Sequence, residues 1–321
     1  MKTLLLALAL SVSAYGAAQS DEPINAVATI GMIGDVVENV GGECVGVTAI
    51  MGPGIDPHLY QASSGDVRTF NNADIIFYSG YSLEGQLGDV LERFAQRKPT
   101  VAVSPESIGS DALIATQDAY GVDPHLWMDA GLWARIAPTV ADALSELRPE
   151  CAEQFRGNAE AYTAQLEALN AWIEEAVSSV PEGQRVLVTA HDAFAYYGRA
   201  YGIEVEGVQG ISTESEAGVA DIRNMAQVIA ERQVPAVFIE STINPRTVRA
   251  VIDAAARRGH QVEVGGELYS DAMGQDGTAG GTYIGMLYEN TATIVEALGG
   301  NVPPLPDALS EWAAQWDIAR N

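Results

Sequence analysis

Histidine is scarce in this chain: four residues in 321. Basic residues are scarce too, with 17 Lys and Arg against 43 Asp and Glu, a formal net charge of −26. That imbalance excludes partners of dense negative charge, because nucleic-acid phosphates and anionic bilayers repel such a surface. It concentrates cations in a general way, and it also suits any soluble acidic exported protein. There are only two cysteines, Cys44 and Cys151. Two exclude a disulfide-rich scaffold, and neither lies near another donor, which excludes a thiolate metal cluster. A single disulfide or two buried thiols remain open. Long apolar runs are missing as well. The run Leu4 to Val12 is too short to span a bilayer as a stable helix, and no other stretch is long and apolar enough.

That short run belongs to a leader. Lys2 supplies a positive start, and Gly16-Ala17-Ala18 offers a small-residue cleavage site before Gln19. No Cys follows the apolar run, so the expected mature form is soluble, periplasmic and not lipid-anchored. The composition, 47% hydrophobic and 19% charged, is that of a globular chain. About 300 mature residues suffice for two domains with cores of their own.

Along the chain, apolar strand-like runs alternate with helical periodicity. Strands are expected at 26–30, 45–50, 74–78 and 100–103, with helices between them, including one opened by a Ser near Ser64. A helical pattern covers Asp129 to Leu147, and a very long amphipathic run covers Cys151 to Val177 without proline. The alternation then resumes with strands at 186–190, 203–208, 236–240 and 261–264, and helices at 192–200, 216–232, 245–258, 282–298 and about 307–318. Such alternation predicts an α/β fold: two lobes, each a mostly parallel sheet flanked by helices. The expected division is a leader at 1–18, a first lobe at 19–150, a linking helix at 151–180 and a second lobe at 181–321.

Against this frame the histidines stand out. Two share a tripeptide, Asp56-Pro57-His58 and Asp123-Pro124-His125, and His191 directly follows the run Val186 to Ala190. All three fall beyond the carboxyl ends of predicted parallel strands, where such sheets bind ligands. Neutral imidazole is a good donor to Zn²⁺, Mn²⁺ or iron when held by stiff backbone, and proline stiffens two of the three loops. A fourth donor is expected from the second half, and Asp271 in Glu267-Leu268-Tyr269-Ser270-Asp271 is the candidate. His260 reads as a surface helix end.

Neighbouring residues carry two readings each. Asp56 and Asp123 shape Asp-Pro turns or hold an imidazole N–H; the turn is preferred. Glu214 and Glu216 lie near the site or cap the next helix, and Thr213-x-x-Glu216 favours a cap. Tyr60 and Trp127, each two residues after a motif His, wall the site from water or serve as ordinary packing.

The motifs Gly-Pro-Gly-Ile-Asp-Pro-His58-Leu-Tyr, Asp-Pro-His125-Leu-Trp-Met-Asp, Thr-Ala-His191-Asp-Ala-Phe-Ala-Tyr-Tyr and Tyr-Ser-Asp271-Ala-Met-Gly resemble, in order, those of the cluster A-I (TroA-like) metal-binding solute receptors of ABC importers. The resemblance covers essentially the whole mature chain. It implies two α/β lobes, a rigid linking helix, and a metal between the lobes held by His58, His125, His191 and Asp271. It also implies delivery of Zn²⁺ or Mn²⁺ to a membrane permease. Zinc-dedicated members often carry a His-rich acidic loop before the second His motif, whereas Ser104 to Val122 contains no histidine.

The expected function is thus capture and handover of a divalent metal by a monomer, with zinc favoured and manganese close behind, and no reaction catalysed. The alternative is an exported zinc-dependent hydrolase using Glu214 or Asp192 as base. Four protein donors would close the open position that such an enzyme needs.

Overall fold

Among the described residues, eight short strands form three parallel sheets beside helices, one in the first lobe and two in the second. The computed structural model describes residues 22–117 and 120–318; the leader expected over 1–18 lies outside them. In the first lobe β1 (Ile24–Ile30), β2 (Val45–Met51), β3 (Ile75–Tyr78) and β4 (Thr100–Ala102) form one sheet in the order β2-β1-β3-β4, all pairs parallel. β1 is central and nearly continuous in apolar side chains, as a strand covered on both faces must be. In the second lobe β5 (Val186–His191) pairs with β6 (Glu204–Gln209), and β7 (Ala236–Glu240) pairs with β8 (Glu263–Leu268), again in parallel. The two pairs meet where β5 runs beside β7.

The link between the lobes is the helix Ala152–Ser178, 27 residues, which at 1.5 Å per residue is roughly 40 Å long. One face buries Phe155, Leu166, Leu169, Trp172 and Ile173 against both lobes. Cys44 and Cys151 form a disulfide that ties the chain just before β2 to the start of this helix. Of the two options left open by sequence, the bond is the one found.

Two elements differ from the expected pattern for identifiable reasons. The single helix expected over 129–147 is broken into Ala130–Trp133 and Ile136–Leu147. Pro138 has no N–H to donate to the carbonyl of Ala134, so the helix restarts and places Pro138 in its first turn, where no donor is missed. The Ala134 carbonyl accepts instead from the Ala137 N–H and from the Thr163 hydroxyl of the long helix, each at 3.4 Å. β8 was expected to stop at Val264, before Gly265-Gly266, yet it runs on to Leu268 with a register shift opposite Val237 and Phe238. Here glycine is a packing requirement rather than a breaker: a Cβ on Gly265 would lie 2.7 Å from the Phe238 ring and 2.9 Å from Ala297. The extension carries the chain to within three residues of Asp271.

The helix Ser64–Asn72 is capped by Ser63, whose hydroxyl accepts from Gly65 and Asp66 N–H while Asp66 accepts from Ser63 N–H. The helix expected from residue 216 begins instead at Val219, and Asp221 accepts from the N–H of Gly218. Glu216 is exposed and is not the cap.

Candidate metal centre

The carboxyl ends of the strands face one another across the two lobes. His58 stands on the breaker-rich loop after β2, with its carbonyl seated against Gly85, where a Cβ would come within 2.6 Å. His125 follows the longer connection after β4. His191 is the last residue of β5, and Asp271 lies three residues beyond β8. The four side chains are fully buried and converge: one donor atom from each lies within 4.8 Å of every other.

The spacing is tight. His58 Nε2 and His125 Nε2 are 3.3 Å apart. Asp271 Oδ1 lies 3.3 Å from His125 Nε2, and Oδ2 lies 3.3 Å from His191 Nε2 and 3.9 Å from His58 Nε2. Bonds of about 2.1 Å to a tetrahedral ion put neighbouring donors about 3.4 Å apart. Both Asp271 oxygens and His191 Nε2 are buried without a hydrogen-bond partner among the described residues. Buried polar atoms aimed at a common point rather than at partners suit a cation between them.

The outer nitrogen of each imidazole is held. His125 Nδ1 lies 2.7 Å from Asp123 Oδ1, which also accepts the His125 backbone N–H at 3.0 Å. His191 Nδ1 lies 2.5 Å from Glu240 Oε2, and His58 Nδ1 pairs with the Tyr120 hydroxyl at 3.1 Å. Such partners fix ring orientation and turn Nε2 inward.

Electrostatically the centre is a proton trap. Burial would lower the His125 imidazole, but Asp123 and Asp271 outweigh it and raise the pKa to about 9. Burial is likewise outweighed at His191, where Glu240 and Asp271 raise it well above the usual range. His58 goes the other way, to about 3, because burial and the two neighbouring imidazoles outweigh Asp271. Burial alone would raise Asp271, yet the imidazoles around it hold its carboxyl well below the usual range. A divalent cation would take over the charge that the imidazole protons otherwise supply.

Of the neighbours singled out in the sequence, Asp56 shapes its turn by accepting the His58 N–H at 2.9 Å, and it also accepts from the Thr213 hydroxyl of the second lobe at 2.6 Å. Asp123 does more than the preferred turn reading, since it holds the imidazole as well. Trp127 is fully buried, edge-on to His125 with ring centroids 5.2 Å apart. Tyr60 turns away to donate to Asp66. Glu214 is exposed. His260 is half-buried rather than a free surface residue, its Nε2 2.7 Å from the Val234 carbonyl. Glu240 and Tyr120 were not anticipated. Glu240 ends the run Ala-Val-Phe-Ile-Glu, and a carboxylate closing an apolar strand at the carboxyl edge was the available signal.

A family description, ZnuA, zinc-uptake complex component A periplasmic, matches residues 26–297. The chain belongs to the ZnuA family. Among its relatives, the zinc-binding protein TroA of Treponema pallidum is 46% identical over 282 residues, covering 88% of this chain and 91% of the relative. The manganese-binding lipoprotein MntA of Bacillus subtilis is 43% identical over 279 residues, covering 87% and 91%. The solved structure of Treponema pallidum TroA superposes with a TM-score of 0.84, covering 86% of this chain and 99% of that one. The two-lobed α/β architecture with one long connecting helix is thus the fold of this ZnuA-family chain.

The comparisons correct one expectation. A soluble receptor without a lipid anchor was read from the missing Cys after the apolar run, but the MntA relative is named a lipoprotein, as is SloC of Streptococcus mutans. Anchoring is decided by a few residues of a leader and leaves no mark on the sheets or the buried centre. The unanchored assignment does not stand.

Proposed function

We propose that this chain is the metal receptor of an ABC importer, binding one divalent transition ion between its lobes through His58, His125, His191 and Asp271 and handing it to a membrane permease. The N-terminal lobe, 19–150, supplies the first two ligands and the C-terminal lobe, 181–321, the other two, across the linking helix. The observation that carries this reading is the convergence of four fully buried donors, with both Asp271 oxygens and His191 Nε2 lacking hydrogen-bond partners among the described residues. Family membership supports the transport role and the permease as partner.

Zinc is favoured over manganese. Three imidazole nitrogens and one carboxylate oxygen, spaced at close to tetrahedral edges, suit Zn²⁺, whereas Mn²⁺ prefers more oxygen donors and a higher coordination number. The relatives themselves divide, TroA being named for zinc and MntA for manganese. With neutral imidazoles the loaded centre carries a net charge of +1. We read the site as non-catalytic, because four protein donors leave no coordination position for an activated water. We also read the receptor as a monomer.

The test is elemental analysis of untagged protein reconstituted with Zn²⁺ and Mn²⁺ separately and in competition. One equivalent of metal, with zinc displacing manganese, is expected. Protein that retains no transition metal would overturn the reading. Metal-dependent hydrolysis of esters or phosphates would overturn the non-catalytic assignment, and sedimentation velocity checks the monomer.

A further inference from the structure

Trp127 touches both halves of the centre. It sits in the short turn Leu126–Met128, directly after His125, and its ring lies edge-on to that imidazole. Its indole Nε1–H crosses to the second lobe and donates to the carbonyl of Ser270, the residue before Asp271, at 2.8 Å. Its own carbonyl accepts from the hydroxyl of Tyr283, also in the second lobe, at 2.7 Å. The ring is fully buried, so water cannot replace these bonds while the lobes stay together. Ser270 is otherwise tied within its own lobe, its hydroxyl lying 3.2 Å from that of Thr242.

We infer that Trp127 is a positioning residue that couples the two lobes at the metal and sets how fast the ion leaves. The inference rests on the metal-binding reading given above. Asp271 is the only carboxylate among the four proposed ligands, and it stands on a loop between β8 and the turn Ala279–Gly281. For it to leave the ion, the Ser270–Asp271 backbone has to move relative to the first lobe. The Trp127–Ser270 bond opposes that motion directly, and the Tyr283–Trp127 bond opposes it from the other side of the same turn. The indole binds no metal; it acts through Asp271.

A neighbouring tryptophan supplies the control. Trp133 is also fully buried and packs edge-on to Trp127 at 6.2 Å, but its Nε1 has no hydrogen-bond partner among the described residues. Trp127→Phe and Trp133→Phe therefore remove similar ring area from the same cluster, and only the first removes a bond to the Asp271 segment. Each variant is loaded with Zn²⁺, mixed with excess chromogenic chelator, and followed by stopped flow, with thermal unfolding recorded in parallel.

The expected result is zinc release about three- to tenfold faster from Trp127→Phe, the effect of one buried hydrogen bond, with Trp133→Phe close to wild type. Equal release from Trp127→Phe and wild type, or equal acceleration by Trp133→Phe, would overturn the inference. If Trp127→Phe does not fold, Tyr283→Phe carries the test: faster release supports the coupling and unchanged release overturns it. Wild-type protein that holds zinc while Trp127→Phe releases it normally removes this inference alone. Wild-type protein that holds no zinc removes the metal-binding reading beneath it.

Discussion

Glu240 grips His191 twice: one carboxylate oxygen accepts the backbone N–H at 2.8 Å and the other lies 2.5 Å from Nδ1. The last residues of β5 and β7 are thereby locked together, and the imidazole presents Nε2 to the centre in one orientation. Glu240→Gln keeps the size of the side chain but loses the charge that supports the ring. Its affinity for Zn²⁺ should fall by about 10- to 100-fold, the usual cost of removing the partner of a ligating imidazole. Competition against a chromogenic chelator measures it, and an unchanged affinity would sink the assigned role.

Metal binding should release protons. His125, raised to about 9, and His191, raised well above the ordinary imidazole value, are both protonated in the metal-free protein at neutral pH, and a metal can bind only their neutral forms. Affinity should therefore rise with pH through the neutral range. Titration calorimetry in buffers of different ionisation heat should report a release on the order of two protons per ion. A binding heat independent of buffer would contradict this. The same shift bears on stability without metal. Because the folded pKa of His125 lies above its unfolded value, its contribution is fully present below about 6.5 and is lost as pH rises through about 9.

Asp271→Ala should weaken both metal loading and the metal-free fold. With Zn²⁺ at about a thousand times its dissociation constant, wild type gains about 4 kcal/mol of stability, seen as a raised melting temperature. The variant should lose most of that gain. Its metal-free melting temperature should also fall at neutral pH, because the protonated His125 and His191 lose the buried carboxylate whose pKa they hold well below the usual range. Scanning calorimetry with and without zinc checks both halves of the statement.

Gly265→Ala tests the extended β8. Its new methyl would press on Phe238 and Ala297, at a cost of about 1–3 kcal/mol by chemical denaturation. A neutral result would mean that the strand yields there more easily than its packing indicates.

How much of this was written in the sequence depends on how local each feature is. The alternation of strands and helices, and the four convergent residues, were legible because each donor sits beside its own turn chemistry: proline before His58 and His125, a strand end at His191, a polar loop at Asp271. Glu240 was hidden because its role exists only where β5 runs beside β7, a neighbour relation between strands far apart in the chain. Asp123 was read as a turn residue because its bond to the imidazole competes with an equally common local use, and in the structure it does both. Gly265-Gly266 looked like punctuation because the reason for glycine, the Phe238 ring, belongs to another strand. The helix break before Pro138 is a local signal, since proline lacks the N–H that an unbroken helix needs there.

The disposition of the four proposed ligands has a consequence for biogenesis. The first is residue 58 and the last is residue 271, and each lobe supplies two. A nascent chain that ends before residue 271, or either lobe alone, therefore presents an incomplete coordination sphere. Capture waits until the last strand of the second lobe is in place, so the metal itself inspects the finished fold. Defective copies, with fewer donors, compete poorly for a scarce ion.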